Sequence, residues 1–424
     1  MSQSTAEPAS LTMEEAGRMQ SGSSDVLTEI LRTGARDLLA RAIQAEVDEW
    51  IAQRCGLTDA EGRRAIVRNG HLPSRSVLTG IGPVEVRVPR VHDRRGPEQR
   101  EKFTSAILPP YVRKAVSVAN VLPWLYLRGV SSGQMGEALK ALLGPSASGL
   151  SPNVIMRLKQ QWMDEYQTWS KRSLEGKHYV YVWADGVYFN IRLAEPGNAR
   201  QCILVLMGAT ESGTKELIAI VDGYRESEQS WHELLTDCRL RGLTIEPKLA
   251  IGDGALGFWK ALAKVYPTTK AQRCWVHKQS NVLNKLPKGV HAKAKPMLRA
   301  IWMAETRASA LAAMERFVQA FGAKYPAAVE CLTKDREALL AFYDFPAEHW
   351  ASIRTSNPLE STFSTVRLRT DKTKGAGTRL ACLAMVFKLT QSAEKSWRAL
   401  NGSKLIADVI AGAVFVDGVK QIAA

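Results

Sequence analysis

Two aspartates interrupt apolar runs that have the character of buried strands. Asp185 lies inside VYVWADGVYF and Asp253 ends the apolar part of LAIGDGALGF, and a glycine follows each of them. An ionised carboxylate beside a buried strand is costly unless it is paired, hydrogen-bonded or bound to a metal ion. The structural alternative is a tight turn, because Asp-Gly is a common hairpin dipeptide. The apolar run on both sides of Asp185 is too continuous for such a turn.

A third acid, Glu360, stands at the head of the basic stretch RTSNPLESTFSTVRLRTDKTKGAGTR, residues 354–379. Six lysines and arginines face two acids in this stretch. Since a carboxylate repels the phosphate that such cations bind, Glu360 needs another explanation. One is structural: Asn357 as N-cap, Pro358 at the first helical position and Glu360 at the third would form a capping arrangement. The other is metal binding, which is compatible with a rigid position at the start of a helix.

Three carboxylates that meet at one site have a defined chemical use. Oxygen ligands select hard cations such as Mg²⁺, and two such ions about 3.5–4 Å apart can serve phosphodiester displacement. We therefore predict that Asp185, Asp253 and Glu360 are catalytic and bind two Mg²⁺ ions, for which Mn²⁺ can substitute. The cations that follow Glu360 are predicted to hold the DNA backbone: Arg367, Arg369, Lys372 and Lys374.

A second basic run, residues 268–300, contains eight lysines and arginines and no acid. A solvated helix face normally mixes both signs, so this run favours a DNA-facing surface with salt-sensitive affinity. The predicted contacts within it include Arg273, Lys278, Lys285, Lys288, Lys293 and Lys295.

Further upstream, LPWLYLRGVSSGQMGEALKALLG and GLSPNVIMRLKQQW have the pattern of a helix-turn-helix that reads DNA. Ser151 would cap the second helix, Pro152 would start it, and Arg157 and Lys159 would face the DNA. A plain helical bundle is the alternative, because helices separated by turns are common.

Changes in composition predict how these elements are organised. Three β-rich runs followed by helix, strand, helix and strand predict an α/β core with a mixed five-stranded sheet. The predicted segments are a disordered tail (1–24), N-terminal helices that could dimerise (25–60), a small β-hairpin with a basic segment (61–105), a helical DNA-binding region (106–172), the first part of the core (173–277), an all-helical insertion (278–350), the final part of the core with the Glu360 helix (351–400), and a C-terminal tail (401–424).

Composition limits the class of protein. The 424 residues carry a formal charge of +15, which points to a polyanionic partner. No apolar run is long enough for a membrane span, and the first twenty-five residues lack the apolar centre of a secretory leader. Six scattered cysteines suit a reducing compartment. We expect a soluble, cytoplasmic protein.

These residues belong to a longer set of motifs that resembles bacterial insertion-sequence transposases of the mutator type, DDE enzymes with an RNase H-like catalytic core. The matching pieces are WADGVY, ESGTKELIAIVDGYRESEQSWHELLTDCRLRGL, IGDGALGFWKAL, QRCWVHKQSNVLNKLP and TSNPLESTFSTVRLRT, with RNGH and GPVEVRVPRVHDRRG upstream. Their order and spacing are far more specific than any single motif.

The resemblance implies a function and a set of roles. It places the family's triad on Asp185, Asp253 and Glu360, with the helical insertion between the last core strand and the glutamate helix. It implies binding to terminal inverted repeats, cleavage that frees a 3′-hydroxyl, and attack of that hydroxyl on target DNA by a homodimer or higher oligomer. It also implies that His277, in a Cys-x-x-His signature, orients DNA or a catalytic group while Cys274 packs in the core.

Other hypotheses stay open at this stage. The chain could be a non-catalytic, sequence-specific DNA-binding regulator, or an RNase H-like nuclease without strand transfer. Cys274 and His277 alone do not make a zinc site, because a structural zinc needs four ligands and no second pair lies at suitable spacing. Glu226 and Glu228 are interpreted as first-turn helix acids that the helix dipole favours, with metal or DNA placement as the alternative.

Overall fold

The computed structural model describes residues 26–127, 130, 134–143, 152–193, 200–223, 225–372 and 375–421. The chain forms two compact units, Met1–Pro152 and Asn153–Ala424. The predicted disordered tail, 1–24, lies outside the described residues.

The first unit combines helices with four short strands. Its helices are α1 (Val26–Ala52), α2 (Val116–Leu127) and α3 (Met135–Leu143), and its strands are β1 (Ile66–His71), β2 (Arg75–Thr79), β3 (Gly82–Val86) and β4 (Pro89–Asp93). β2 and β3 form the predicted antiparallel hairpin, and β1 pairs antiparallel with β4. Gly82 makes the hairpin turn possible because its φ is +100° and a Cβ there would lie 2.6 Å from the Arg32 guanidinium.

Helix α1 buries only part of its predicted apolar face. Ile43 and Val47 are fully buried, and Ile43 packs against the β2–β3 hairpin. In contrast, Val26, Ile30 and Leu38 are each more than 60% exposed. A helix is therefore present within the predicted N-terminal segment, while tertiary packing covers only its C-terminal half.

The second unit is built on a five-stranded mixed sheet, as predicted. Its strands are β5 (Tyr179–Asn190), β6 (Arg200–Thr210), β7 (Lys215–Gly223), β8 (Leu249–Gly252) and β9 (Lys270–Arg273), in the order β7-β6-β5-β8-β9. β5, β6 and β7 form an antiparallel meander, and β8 and β9 run parallel to β5. The central strands are apolar almost throughout because both faces of the sheet are covered.

Helices cover the sheet and connect its parallel strands. α4 (Pro152–Ser170) precedes the sheet, α5 (Glu228–Leu240) links β7 to β8, and α6 (Leu256–Val265) links β8 to β9. Trp231 and Leu234 of α5 pack with Phe258 of α6 over Leu204 and Ile218. Pro152 starts α4 as predicted, and Ser151 lies outside the described residues.

Between β9 and the Glu360 helix the chain contains helices and turns. The α-helices are α7 (Trp275–Leu283), α8 (His291–Trp302), α9 (Arg307–Phe321), α10 (Pro326–Thr333), α11 (Arg336–Leu340) and α12 (Trp350–Ile353), with 3₁₀ turns at Lys288–Val290, Ala341–Asp344 and Ala347–His349. The last predicted strand of the core is short, because it ends at Arg273 and α7 begins at Trp275.

The helical region is fixed to the sheet by buried hydrogen bonds. The Gln272 side chain and the Trp275 indole both donate to the carbonyl of Leu339, at 3.1 and 2.8 Å. The Trp183 indole donates to the carbonyl of Ser352 at 3.1 Å. These contacts hold the segment that leads into the Glu360 helix against β5 and β9, close to where β8 and β9 end.

The last elements are α13 (Asn357–Lys372), α14 (Arg379–Glu394), a 3₁₀ turn at Ser403–Leu405, α15 (Ile406–Ile410) and a hairpin of β10 (Phe415–Val416) and β11 (Val419–Lys420). The segment predicted as a C-terminal tail therefore contains regular structure, and Ile406 is fully buried within it. No described helix is both long and apolar enough to cross a membrane.

Candidate active site

Asp185 and Asp253 end up side by side on neighbouring strands. β5 and β8 are parallel, with Ala184 in register with Gly252. Each aspartate is the next residue along the chain, Asp185 within β5 and Asp253 directly after β8. Asp185 itself lies within β5, where it pairs with Val205 of β6. The tight-turn alternative for Asp185 is therefore wrong, and the sheet brings together two acids that are distant in sequence.

Asp185 is a buried acid. Its exposed fraction is 8%, and within the described ranges its carboxylate has neither a hydrogen bond nor an ion pair. Burial raises the pKa of Asp185 to about 7, and the charges of Asp253 and Glu360 act in the same direction. The positive charges of His277 and Arg367 oppose this rise. The site thus concentrates negative charge in a place that water screens poorly.

Asp253 begins the connection from β8 to α6. Its Oδ1 accepts a hydrogen bond of 2.7 Å from the Ala255 backbone N–H, and its carbonyl accepts one of 2.9 Å from the Trp259 indole. Its Oδ2 accepts none from the described residues. One carboxylate oxygen therefore fixes the orientation of the side chain and the other is available to a ligand.

Glu360 lies in the first turn of α13, close to the predicted position. The helix begins at Asn357, and the Glu360 N–H donates to the Ser356 carbonyl at 3.1 Å. The residue before the helix is therefore Ser356, and the predicted N-cap at Asn357 is one residue too late. The Ser356 hydroxyl donates to Glu360 Oε1 at 2.7 Å, which orients the carboxylate.

Cys274 and His277 connect Glu360 to the sheet. The Cys274 N–H donates to the Gly252 carbonyl at 2.8 Å, which places Cys274 beside Asp253. The Ser356 N–H and hydroxyl both donate to Cys274 Sγ at 3.2 Å. His277 Nδ1 is 3.6 Å from Glu360 Oε1. The start of α13 is thereby held at the same edge of the sheet as the two aspartates.

Cys274 and His277 shift each other's pKa in opposite directions. Hydrogen bonding to Cys274 is the main cause that raises the pKa of His277 to about 9, and the charges of Cys274, Glu360 and Asp185 contribute in the same direction. Burial would raise the pKa of the Cys274 thiol, but its hydrogen bonds with His277 and Ser356 bring it below the ordinary value. His277 is therefore a cation at neutral pH and partly offsets the surrounding carboxylates.

The ligand atoms of the three predicted carboxylates do not all lie within 4.8 Å of one another. Among the described residues, the ligand atoms that all lie within 4.8 Å of one another belong to Cys274, His277 and Glu360. This set has three members and so does not complete the four ligands of a structural zinc site. The coupling of Asp185 with Asp253 and Glu360 nevertheless places all three acids within electrostatic range of each other.

A fourth acid, Glu226, was interpreted as part of a helix turn, and the structure places it elsewhere. α5 begins at Glu228 with Ser227 as its N-cap, so Glu226 precedes the helix. Burial raises the pKa of Glu226 to about 7, and the charges of Asp253 and Asp185 add to the rise. Nothing in the local sequence distinguishes it from Glu228, because only the packing of distant segments brings it to the aspartates.

Two of the predicted DNA contacts are occupied within the protein. Lys278 is 4% exposed, forms an ion pair with Asp335 and donates to the Cys331 carbonyl at 2.8 Å. Arg273 is also buried and lies 3.4 Å from the same Asp335 carboxylate. A cation that is buried and paired in this way cannot reach a phosphate. The structure thus gives Lys278 and Arg273 internal roles that the sequence pattern did not reveal.

The remaining cations of the basic run have a different setting. They are exposed and form no ion pair with any acid in the described ranges: Lys285, Lys288, Lys293, Lys295 and Arg299. Arg367 is exposed on α13 and close enough to lower the pKa of Asp185. Arg369 and Lys372 lie on α13, but their side chains are outside the described part, as is all of Lys374. Arg157 is exposed and Lys159 half-buried on α4.

A mixed α/β sheet that brings an acid within β5 beside an acid that follows β8, next to a basic helical region, suits a protein that acts on nucleic acid. Comparison with known proteins identifies the family. Residues 2–399 match the family model described as "Transposase, Mutator family". The chain belongs to this family of transposases, which confirms the resemblance seen in its motifs.

Curated relatives agree with this assignment. The transposase for insertion sequence element IS6120 of Mycolicibacterium smegmatis is 52% identical over 301 residues, which is 71% of this chain and 92% of that protein. The transposase for insertion sequence element IST2 of Acidithiobacillus ferrooxidans is 49% identical over 292 residues, 67% of this chain and 95% of that protein.

Among solved structures, the Drosophila P element transposase strand transfer complex aligns over 74% of this chain and 86% of that chain. The sequence identity is 9% and the TM-score is 0.27, a likeness too low to support an inference about fold or function.

Proposed function

We propose that this transposase catalyses Mg²⁺-dependent cleavage and strand transfer at the terminal inverted repeats of an insertion sequence, with Asp185, Asp253 and Glu360 as its catalytic triad. The observation that carries the proposal is the register of β5 and β8, which puts Asp185 and Asp253 next to each other. The strand order β7-β6-β5-β8-β9, with three antiparallel strands followed by two parallel ones, supports an RNase H-like core.

The donor set fits a hard divalent cation. The acids offer carboxylate oxygens, which Mg²⁺ prefers and Mn²⁺ also accepts. Asp185 is buried without a protein partner, a state that a bound cation stabilises. When bound, two such ions would activate the attacking oxygen and stabilise the leaving oxygen of an in-line displacement. Asp185, Asp253 and Glu360 would hold them.

The residues around the acids have supporting roles in this proposal. The Ser356 hydroxyl and the His277 imidazolium orient the Glu360 carboxylate through the contacts at 2.7 and 3.6 Å. The Ala255 N–H orients Asp253. Because α13, β8 and the β9–α7 junction are tied by buried hydrogen bonds, these groups are positioned before DNA arrives, which reduces the cost of ordering them.

DNA binding is assigned to the exposed cations of the basic surface, which we define as Lys285, Lys288, Lys293, Lys295 and Arg299, together with Arg367 and the neighbouring basic residues of α13. Within the described ranges, no acid forms an ion pair with Lys285, Lys288, Lys293, Lys295 or Arg299, so the charges of these five residues are available to phosphates. We further propose that the protein acts on DNA in the bacterial cytoplasm as a homodimer or higher oligomer, since two transposon ends must be handled together.

The direct test uses purified protein and labelled DNA that carries the element's ends, with and without Mg²⁺. The variants Asp185→Asn, Asp253→Asn and Glu360→Gln remove one charge each and nearly preserve shape. We expect each to abolish cleavage and retain binding to the ends, while Asp164→Asn, an exposed acid on α4, behaves like the wild type. Cleavage that survives in any one triad variant removes that residue from the site.

The same experiment separates the alternatives. A protein that binds the ends but leaves them intact at every Mg²⁺ or Mn²⁺ concentration would be a regulator. A protein that cleaves the ends but never joins the freed 3′-hydroxyl to an added target DNA would be a nuclease without strand transfer.

A further inference from the structure

Glu226 packs closely against two glycines from different parts of the chain, Gly186 and Gly257. It lies between β7 and α5, just before the N-cap Ser227. A Cβ at Gly186 would lie 1.7 Å from Glu226 Oε1 and 2.4 Å from its Cδ. The Glu226 carboxylate therefore occupies the space that any side chain at position 186 would fill, directly beside the peptide that follows Asp185.

The backbone of residues 226–228 packs closely against the start of α6. A Cβ at Gly257 would lie 2.6 Å from the Glu228 N and 2.7 Å from the Glu226 carbonyl oxygen. Gly257 is in the first turn of α6, the helix that follows Asp253. The two chain segments that bear the predicted aspartates thus each approach Glu226 closely. The approach to its backbone requires a glycine at position 257, and the present position of its carboxylate requires a glycine at position 186.

The charge of Glu226 is not compensated by this packing. Within the described ranges the carboxylate forms no ion pair, although the Gly186 N–H hydrogen-bonds to it. Asp253 and Asp185 both disfavour its ionised form. Its neighbour Glu228 is different: the Glu228 carboxylate pairs with Lys264 at 2.6 Å and with Lys260 at 3.8 Å, as expected of a surface helix acid.

The second observation that points to a ligand is Asp185, which is more than nine-tenths buried, has no described partner and lies at the same place. Acids collected around such a group repel one another unless a cation lies among them.

We propose that Glu226 supplies a fourth carboxylate to the divalent-cation site of Asp185, Asp253 and Glu360, on the side of the site next to Gly186. The inference rests on the proposed function for the identity of the other three acids. Glu226 would add negative charge and oxygen donors for a hard cation, so that the affinity for Mg²⁺ or Mn²⁺ depends on it.

The test measures cation binding directly, apart from activity. Mn²⁺ is titrated into the full-length, DNA-free protein and bound ion is followed by electron paramagnetic resonance. We expect Glu226→Gln to weaken Mn²⁺ binding roughly tenfold or more, and Glu226→Asp, which keeps the charge on a shorter arm, to weaken it less. The matched control Glu228→Gln, two residues away and ion-paired, should bind Mn²⁺ like the wild type.

A parallel readout is the Mg²⁺ concentration that gives half-maximal cleavage. It should rise for Glu226→Gln and stay unchanged for Glu228→Gln. Gly186→Ala, which displaces the Glu226 carboxylate without removing it, should reproduce the Glu226→Gln effect. Thermal unfolding identifies any variant that fails to fold. If Glu226→Gln does not fold, the Mn²⁺ affinity of Glu226→Asp is the deciding measurement.

The outcomes distinguish this inference from the proposed function. If Asp185→Asn abolishes Mn²⁺ binding and Glu226→Gln and Glu226→Asp leave it unchanged, Glu226 is not a ligand and only the inference is overturned. If Asp185→Asn and Asp253→Asn also bind Mn²⁺ like the wild type, the cation site itself is wrong and both proposals fall.

Discussion

At the scale of the residue, Asp185 is buried and has two carboxylates nearby, and both features raise its pKa. Burial is the larger cause of its raised pKa, so replacing a neighbouring acid alone would not restore an ordinary value. An enzyme that needs this group ionised at neutral pH can obtain that state by binding a cation, because the cation favours the charged form.

A pH-dependent stability follows in metal-free protein. The pKa of Asp185 is about 7 in the fold and near 3.8 in the unfolded chain, so the folded state holds an extra proton between these values. Its contribution to the free energy of unfolding therefore decreases as pH rises through this window. From pH 5.5 to pH 8 in EDTA, we expect the wild type to lose roughly 1–2 kcal/mol more than Asp185→Asn.

Chemical denaturation at the two pH values measures this difference, and Asp164→Asn should follow the wild type. Saturating Mg²⁺ at pH 8 should stabilise the wild type but not Asp185→Asn. Equal pH dependence in wild type and Asp185→Asn would show that the Asp185 carboxylate is not buried in the charged form.

At the scale of the element, three junctions define the site: the end of β8, the β9–α7 turn and the start of α13. Glu360 reaches the sheet because Ser356 binds Cys274 and because the Trp275 N–H donates to the Arg354 carbonyl at 3.1 Å. A helical region of more than eighty residues separates Glu360 from β9. The position of the glutamate therefore depends on how that region packs, and Lys278 is one of its fixing points.

Lys278 gives a prediction at this scale. Lys278→Met should destabilise the second unit by about 3 kcal/mol, because the Cys331 carbonyl loses its donor and the Asp335 carboxylate keeps only the longer contact with Arg273. Urea denaturation measures the change. Lys285→Met replaces an exposed lysine of the same basic run and should change the free energy of unfolding by less than about 0.5 kcal/mol.

A DNA-binding measurement distinguishes the internal role of Lys278 from the DNA contact predicted from the sequence. If Lys278 has only an internal role, the folded Lys278→Met variant should bind DNA with the same salt dependence as the wild type. A stable Lys278→Met variant with weakened DNA binding and a reduced salt slope would contradict the internal role and restore the original prediction.

At the scale of the whole molecule, the excess positive charge is distributed between structural and available cations. The formal charge of +15 does not show which cations are available. The structure makes that distinction, since Lys270 pairs with Asp344 at 3.0 Å while Lys295 and Arg299 are exposed and unpaired with any described acid.

This distribution predicts the salt dependence of DNA binding. Each phosphate contact contributes about −0.9 to the slope of log K against log salt. The double variant Lys295→Gln/Arg299→Gln should therefore reduce the magnitude of the slope by roughly 1–2 and weaken binding to specific and unrelated DNA alike. Fluorescence anisotropy over a range of salt concentrations measures it.

The matched control is Lys270→Gln, which removes an exposed cation whose charge Asp344 already uses. Asp344 keeps Arg307 as a partner at 3.3 Å, so the fold should tolerate the change and the salt slope should stay close to that of the wild type. A double variant with the wild-type slope would place the DNA path elsewhere on the protein.

Local sequence patterns were enough for the order of strands and helices from β5 to β9 and for the five-stranded mixed sheet, but not for α15 and the β10–β11 hairpin in the segment predicted as a tail. These features depend on short-range periodicity, since apolar β-rich runs and Asp-Gly boundaries are visible within ten residues. The family, and with it the expectation for Asp185, Asp253 and Glu360, also followed from motifs that are contiguous in sequence.

Only the tertiary structure decided which charges meet. Glu226 and Glu228 are two residues apart and alike in sequence, yet one lies against Gly186 and the other pairs with Lys264. Lys278 and Lys285 belong to one basic run, yet Lys278 is buried against Asp335. The physical reason is that the energy of a charge depends on its burial and on partners from distant segments, and a one-dimensional pattern does not contain that information.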